Sequence, residues 1–236
     1  MKCTAETIFH KLSATYIIKE EDFIAYYVWL KTKDCFKVLV ATILSQNSTD
    51  KSAIKAYLEL ERKVGVTPEK LSNANLADIE SALKISGLYR TKAKRLKEIS
   101  RIILERYNGL IDSLLNTSNA RDELLKLEGI GEKTADVVLL TCYGYYGYKV
   151  FPVDTHITRV SKRLGIVPTN AKYSLISSTL KELFSAYDLL HLHHMLIAHG
   201  RQTCKARKPL CNSCIIKECC EYYSHRDGEA WRSNTS

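Results

Sequence analysis

The octapeptide Leu127-Glu128-Gly129-Ile130-Gly131-Glu132-Lys133-Thr134 most limits what this chain can fold into. Before it, Leu124, Leu125 and Leu127 close one apolar face of a helix. After it, Ala135, Val137, Val138, Leu139 and Leu140 continue as a buried helix. The stretch is therefore predicted to be a helix-hairpin-helix. Glycines on both sides of Ile130 permit positive φ and remove Cβ atoms that would block close backbone approach, so successive N–H groups can converge on one anion. The same amides open the second helix, whose dipole favours negative charge there, and a nucleic-acid phosphate is the natural ligand. A plain packing turn between two helices would carry the same glycines, so the surrounding residues decide.

Helical periodicity runs through the rest of the chain. Residues up to about Leu30 predict one or two helices, and Phe36, Val38, Leu39, Val40, Ile43 and Leu44 form an almost wholly apolar segment. Ser45-Gln46-Asn47-Ser48-Thr49-Asp50 then breaks one helix and caps the next. Ala53 to Leu60 continues as helix, Thr67 caps a short helix with Pro68 in its first turn, and Asn75 caps Leu76 to Lys84. Gly87-Leu88 is a turn that leaves Leu88 exposed. The long helix from Thr91 to about Tyr107 buries Ala93, Leu96, Ile99, Ile103 and Tyr107 and leaves Lys92, Lys94, Arg95 and Lys97 as a solvated face or the wall of a nucleic-acid groove. Residues 108–119 predict a linker. The tyrosines of 143–148 are expected to pack at a helix junction, and Val150 to Val153 to run extended around Pro152. Helices follow at Thr155 to Leu164, Ala171 to Ala186 and Leu189 to Gly200, with a mobile polar tail over 224–236. With no internal repeat and no sustained alternation, the fold class is all-α.

Charge and cysteine usage narrow the partners. A formal net charge of +9 favours a polyanion, because Lys and Arg neutralising phosphates supply most non-specific nucleic-acid affinity. No apolar run approaches the roughly 20 residues needed to cross a bilayer, and the N-terminus lacks a signal-peptide core, so a soluble cytoplasmic protein is expected. Cys3, Cys35 and Cys142 are scattered, whereas Cys204, Cys211, Cys214, Cys219 and Cys220 crowd the C-terminal part. In the cytosol such crowding predicts metal or cluster ligation. Cys204, Cys211, Cys214 and Cys220 have the spacing C-x6-C-x2-C-x5-C, which suits a [4Fe-4S] cluster better than zinc, whose ligands usually come as two close pairs. Cys219 beside Cys220 leaves a one-residue ambiguity. Lys205 and Arg207 make the intervening loop basic, a solvated surface or a phosphate contact. His191, His193, His194 and His199 are predicted to be helix polarity rather than a metal site, with His199-Gly200-Arg201 buttressing the cysteine loop.

Taken in order, the hairpin, Val153-Asp154-Thr155-His156, His199-Gly200-Arg201 and the cysteine spacing resemble the endonuclease III family of helix-hairpin-helix DNA glycosylases. Leu44 to Asp50 and Gly87 to Ala93 extend the likeness, which runs from about Cys35 to Tyr223. The resemblance implies a two-domain all-α fold: a helical barrel over 28–146, a cluster domain of 1–27 plus 147–223, and a [4Fe-4S] cluster on the four cysteines. It also implies a monomer acting on damaged double-stranded DNA, with no membrane partner.

In that family the lysine of the hairpin's second helix attacks C1′ of a damaged nucleotide, and Lys133 matches it. The amine must be neutral to attack; the resulting Schiff base acidifies the neighbouring carbon, so β-elimination cuts the strand. Asp154 matches the aspartate that stabilises positive charge on the sugar and assists proton transfer, although its place before a helix also suits an N-cap. The damaged nucleotide must leave the stack, and Gln46, Asn47 and Leu88 match the turns that fill the gap. Gly129, Gly131, Thr134, Lys92, His156, Lys205 and Arg207 are the further expected DNA contacts. Two departures stand out. Relatives carry Leu-Ser-Ala followed by one glutamine, whereas this chain reads Leu44-Ser45-Gln46-Asn47, so Asn47 takes the aligned position with either Gln46 or Asn47 as the side chain that inserts, and Glu128 replaces a common proline. The activity implied is removal of oxidised pyrimidines coupled to strand cutting. A mismatch-specific thymine or uracil glycosylase is the alternative within the class, which Lys133 argues against. A non-catalytic DNA-binding module is the alternative outside it, which Lys133 and Asp154 together argue against.

Overall fold

Every regular element among the described residues is helical. The structure, a computed structural model, describes residues 2–144 and 149–225, so the expected packing of Tyr145, Tyr146 and Tyr148 and the tail from 226 onward lie outside the described residues. Two compact units are present: one formed by Lys19–Tyr148, the other by Met1–Ile18 together with the chain from Lys149 on. The division falls at Ile18/Lys19 rather than at the expected 27/28, because the helix Ile24–Thr32 (α2) packs along its successor in the first unit.

In that unit the organising element is α3 (Cys35–Ser45), with every residue from Cys35 to Leu44 except Lys37 buried. A helix apolar nearly all round has to be enclosed. It is packed by α2, by α4 (Asp50–Lys63), by α7 (Tyr89–Tyr107), by α8 (Ile111–Leu115) and by α10 (Glu132–Tyr143), itself buried from Thr134 to Cys142. Short helices α5 (Pro68–Asn73) and α6 (Leu76–Leu83) lie on the outer side of α7, and α9 (Ala120–Leu125) precedes the hairpin. Capping follows the sequence closely. Asp34, Thr49 and Thr67 accept from the N–H of Lys37, Ser52 and Lys70. Each such cap stabilises by about 1 kcal/mol. Asn75 stands at the N-cap of α6 without a side-chain bond, and α8 interrupts the expected linker because Ile111, Leu114 and Leu115 form a small buried face.

Lys92 departs from expectation most clearly. It lies 1% exposed, and its Nζ donates to the Leu44 carbonyl at 2.8 Å. It is therefore not positioned as a DNA contact; its ammonium satisfies a C-terminal carbonyl of α3 that has no intrahelical partner. Burial pushes its pKa down from 10.5 to about 8. Between those two values the unfolded chain holds a proton that the folded chain has released, so this group's contribution to stability grows as pH rises through the window. Relative to Lys92→Met, the native protein is expected to gain on the order of 3 kcal/mol between pH 7 and 10.5. Denaturant melts of both proteins across that range check it, and a gap that stays constant or moves the other way sinks the assignment.

The second unit is built around α13 (Leu189–Gln202), which touches α1 (Ala5–Thr15) and α11 (Thr155–Leu164). The helix α12 (Tyr173–Leu183), shorter at both ends than predicted, packs on α11. Residues 149–154 form no strand, and Ser224, expected in the tail, ends the short helix α14 (Glu221–Ser224).

Candidate functional site

The hairpin is held from both ends. Leu127 and Ile130 are buried, and the Ile130 N–H donates to the Leu127 carbonyl at 3.1 Å. Arg121 of α9 reaches across to α10, with Nε 2.6 Å from Oδ1 of the buried Asp136 and Nη2 3.3 Å from Glu132 Oε1. The two glycines divide their roles differently from the expectation. Gly129 alone is left-handed, at φ +80°, and a Cβ there would strike the Arg95 side chain at 2.2 Å. Gly131 is ordinary extended backbone, φ −96° and ψ 176°, and exposed; a Cβ on it would meet nothing within 4 Å. Its use is a bare surface rather than a strained turn. Gly131 is also the N-cap of α10 and no side chain caps that helix, so the leading amides are supplied with the positive end of the helix dipole. Lys133, half-buried, is the second residue of α10.

Two turns of the same unit meet beside the hairpin. Asn47, exposed, is left-handed at φ 50°, and Leu88, 57% exposed, is left-handed at φ 57°. A Cβ on Gly87 would come within 2.5 Å of the Asn47 carbonyl oxygen, so the glycine lets the turns touch. Gln46 points the other way. Its Nε2 donates to the Gly129 carbonyl at 3.1 Å and to Thr134 Oγ1 at 3.2 Å, and Arg95 Nη1 donates to its Oε1 at 3.3 Å. The Gln46 and Thr134 side chains, both expected on DNA, are thus committed to each other, Thr134 being 5% exposed. Arg90, Lys94 and Arg95 line an open surface hollow with Glu98 and Glu128 on its wall.

In the other unit, Asp154 is the N-cap of α11, its Oδ1 accepting the Ile157 N–H at 2.8 Å. Capping occupies one carboxylate oxygen and leaves a second for chemistry. His156 Nδ1 lies 3.1 Å from Arg159 Nη2, and Gly200 packs so closely on His156 that a Cβ would stand 2.7 Å from its Cβ. Lys205 and Arg207 project from an exposed loop, which α11 holds through bonds from Arg159 to the Cys204 carbonyl and from Arg163 to the Lys205 and Ala206 carbonyls.

Cys204, Cys211, Cys214 and Cys220 line one cavity with Arg163, His199 and Tyr222. Burial pushes the Cys214 thiol up to about 11, and the three other cysteines push the same way; Cys220 is raised likewise. Arg163 Nη1 stands 3.4 Å from Cys204 Sγ, and His199 Nε2 3.9 Å from Cys214 Sγ. His199 is fixed by Tyr16, whose hydroxyl lies 2.8 Å from its Nδ1, and burial drives its pKa down to about 4. His194 falls to about 3 for the same reason, and His193 bonds the Pro152 carbonyl. Among the described residues no three His, Cys, Asp or Glu side chains are grouped to hold a metal ion. Cys219 is fully buried and joined to Cys3 in a disulfide, a pairing that the sequence reading missed and that separates it from Cys220 on the cavity wall.

Comparison with known proteins agrees in fold and in sequence. Residues 40–186 match the model of the HhH-GPD superfamily base excision DNA repair proteins. Endonuclease III of Sulfolobus acidocaldarius is 45% identical over 93% of this chain and 96% of its own length. A trapped covalent intermediate of an endonuclease III with DNA superposes with a TM-score of 0.73 at 29% identity, covering 95% of this chain and 99% of the other. A thermostable thymine-DNA glycosylase, with a TM-score of 0.76 at 22% identity over 93% and 94% of the two chains, shares the fold. The chain belongs to the endonuclease III family of the HhH-GPD base excision repair proteins.

Proposed function

We infer that this protein is a bifunctional DNA glycosylase and abasic-site lyase that removes oxidised pyrimidines from duplex DNA. The observation that carries the reading is Lys133 in the first turn of α10, directly behind the exposed Gly131 and Glu132 that open the helix, whose N-terminus suits a phosphate. A hairpin that grips the backbone there registers the lysine against a sugar. Lys133 Nζ attacks C1′, the glycosidic bond breaks, and the base departs with the bonding electrons. The ring opens to an imine between Lys133 and the sugar. Loss of a C2′ proton then expels the 3′ phosphate and cuts the strand. The free oxygen of Asp154 faces the task of stabilising the cationic sugar and moving a proton. Asn47 and Leu88, at the apices of touching turns, fill the gap left by the extruded nucleotide, Leu88 as an apolar wedge. Lys205, Arg207 and His156 supply contacts on the other unit.

Cys204, Cys211, Cys214 and Cys220 fit a [4Fe-4S] cluster. Four thiols crowded on the wall of one cavity form a donor set suited to a multi-atom cationic body. When bound, the cluster supplies a rigid base for the basic loop after Cys204. No helix among the described residues is long and apolar enough to cross a membrane. The protein acts on DNA as a monomeric cytoplasmic enzyme in this proposal.

A panel of duplexes carrying thymine glycol, oxidised cytosine, uracil, mismatched thymine or a bare abasic site tests the function. Base release from the oxidised pyrimidines, with strand cutting at a matching rate, is expected. Release of mismatched thymine or uracil in their place would assign the protein to the mismatch enzymes, and no release from any duplex would reduce it to a binding module.

A further inference from the structure

We propose that Gln46 is a positioning residue for the lyase reaction, tying the gap-filling turn to the hairpin that carries Lys133. The proposal rests on the assignment of Lys133 as nucleophile. Gln46 sits between the end of α3 and the exposed Asn47, yet its side chain turns back into the hairpin. Both ends of its amide are used: the NH₂ on the Gly129 carbonyl and Thr134 Oγ1, the oxygen on Arg95. Only a primary amide offers two donors and an acceptor in that arrangement. Exchanging oxygen and nitrogen would set an acceptor against the Gly129 carbonyl and the nitrogen against Arg95, so the network fixes the orientation.

The contacts fall where alignment matters most. Gly129 is the one left-handed residue of the hairpin, and Thr134 is the immediate neighbour of Lys133. Holding the Gly129 carbonyl and the Thr134 hydroxyl on one amide fixes the turn that feeds the α10 amides and the first turn from which Lys133 projects. Arg95, lying over Gly129 where a Cβ would overlap it, closes the bracket from the outside. On its other side Gln46 is bonded through the backbone to Asn47, whose carbonyl rests on Gly87 next to Leu88. A contiguous chain of packed groups therefore runs from the wedge leucine to the nucleophile. Small misplacements of a reacting group cost large factors in rate, which is where a lost brace appears.

The test separates bracing from gap filling by removing the gap. On a single-stranded oligonucleotide with one abasic site there is no partner base to stabilise, and borohydride trapping reports Schiff-base formation directly. Gln46→Ala is expected to lower the single-turnover rate about tenfold on that substrate and on an abasic duplex, with KM changed less than about threefold. Gln46→Glu falls as far, because its second oxygen opposes the Gly129 carbonyl. Thr134→Val falls likewise, and Gln46→Ala with Thr134→Val falls no further than the worse single variant. Native rate on the single strand with a loss confined to the duplex overturns the proposal and assigns Gln46 to the gap. Additive effects of the two substitutions overturn it too, as does a lowered melting temperature with a native rate measured well below it. An adduct undiminished in Lys133→Ala removes the nucleophile assignment and the proposal together, an outcome distinct from a native rate in Gln46→Ala, which removes the brace alone.

Discussion

Lys133→Ala is expected to form no borohydride-trapped adduct with abasic or oxidised duplex DNA, and to cut the strand at a rate lowered roughly 10³-fold or more. Alanine keeps the first turn of α10 helical, since it is the best helix former, so the loss is not one of fold. Binding is expected to persist, because the Gly131 backbone and the α10 amides are untouched. Titrations of a fluorescent abasic-analogue duplex at several salt concentrations, beside the trapping gel, separate the two effects. Binding lost as completely as chemistry would show that Lys133 holds DNA rather than attacks it.

Breaking the Cys3–Cys219 bond carries the largest expected effect on stability. The bond joins residues 216 apart, and the chain-entropy relation gives about 5 kcal/mol for closing so long a loop, with measured losses of native disulfides at about 2–5 kcal/mol. Cys3→Ala is therefore expected to cost about 2–4 kcal/mol, a fall of very roughly 5–15 °C in melting temperature for a chain of this size. Dithiothreitol should lower the native protein to the level of the variant and leave the variant unmoved. Cys219 is fully buried, and exchange needs access for the attacking thiolate, so reduction should be slow until the unit opens. Equal melting temperatures for native protein and variant without reductant would exclude the bond from the working protein.

Much of this molecule was legible in order of residues because its signals are local. The caps at Thr49, Thr67 and Asp154 follow from a side chain and the amide three residues on. The all-apolar run of α3 announces a central helix. Lys92 could also have been placed: it stands four residues before Leu96 and seven before Ile99 on the same buried stripe, and a charge on an apolar stripe signals a buried partner. The α8 turn carried a matching sign in Ile111, Leu114 and Leu115 at helical spacing. Other features have no local sign. That Arg95 lies over Gly129 and not over Gly131 depends on a separate helix, and the inward turn of Gln46 depends on a carbonyl 83 positions away. Cys3 and Cys219 find each other only once the intervening chain has folded. The cysteine spacing alone left Cys219 and Cys220 interchangeable, and the disulfide is what distinguishes them.

The unit that holds α1 is made from both ends of the chain, and this orders its assembly during synthesis. Ile8 and Leu12 leave the ribosome first, but the helix they pack beside, α13, and the sulfur that meets Cys3 are made last. Residues 19–148 have all their own partners long before then. The inserted unit therefore completes while α1 waits with an apolar face uncovered, a nascent-chain state in which holdase chaperones have a defined target. Closing of the disulfide marks the end of that wait, since it cannot form before the last cysteines have emerged.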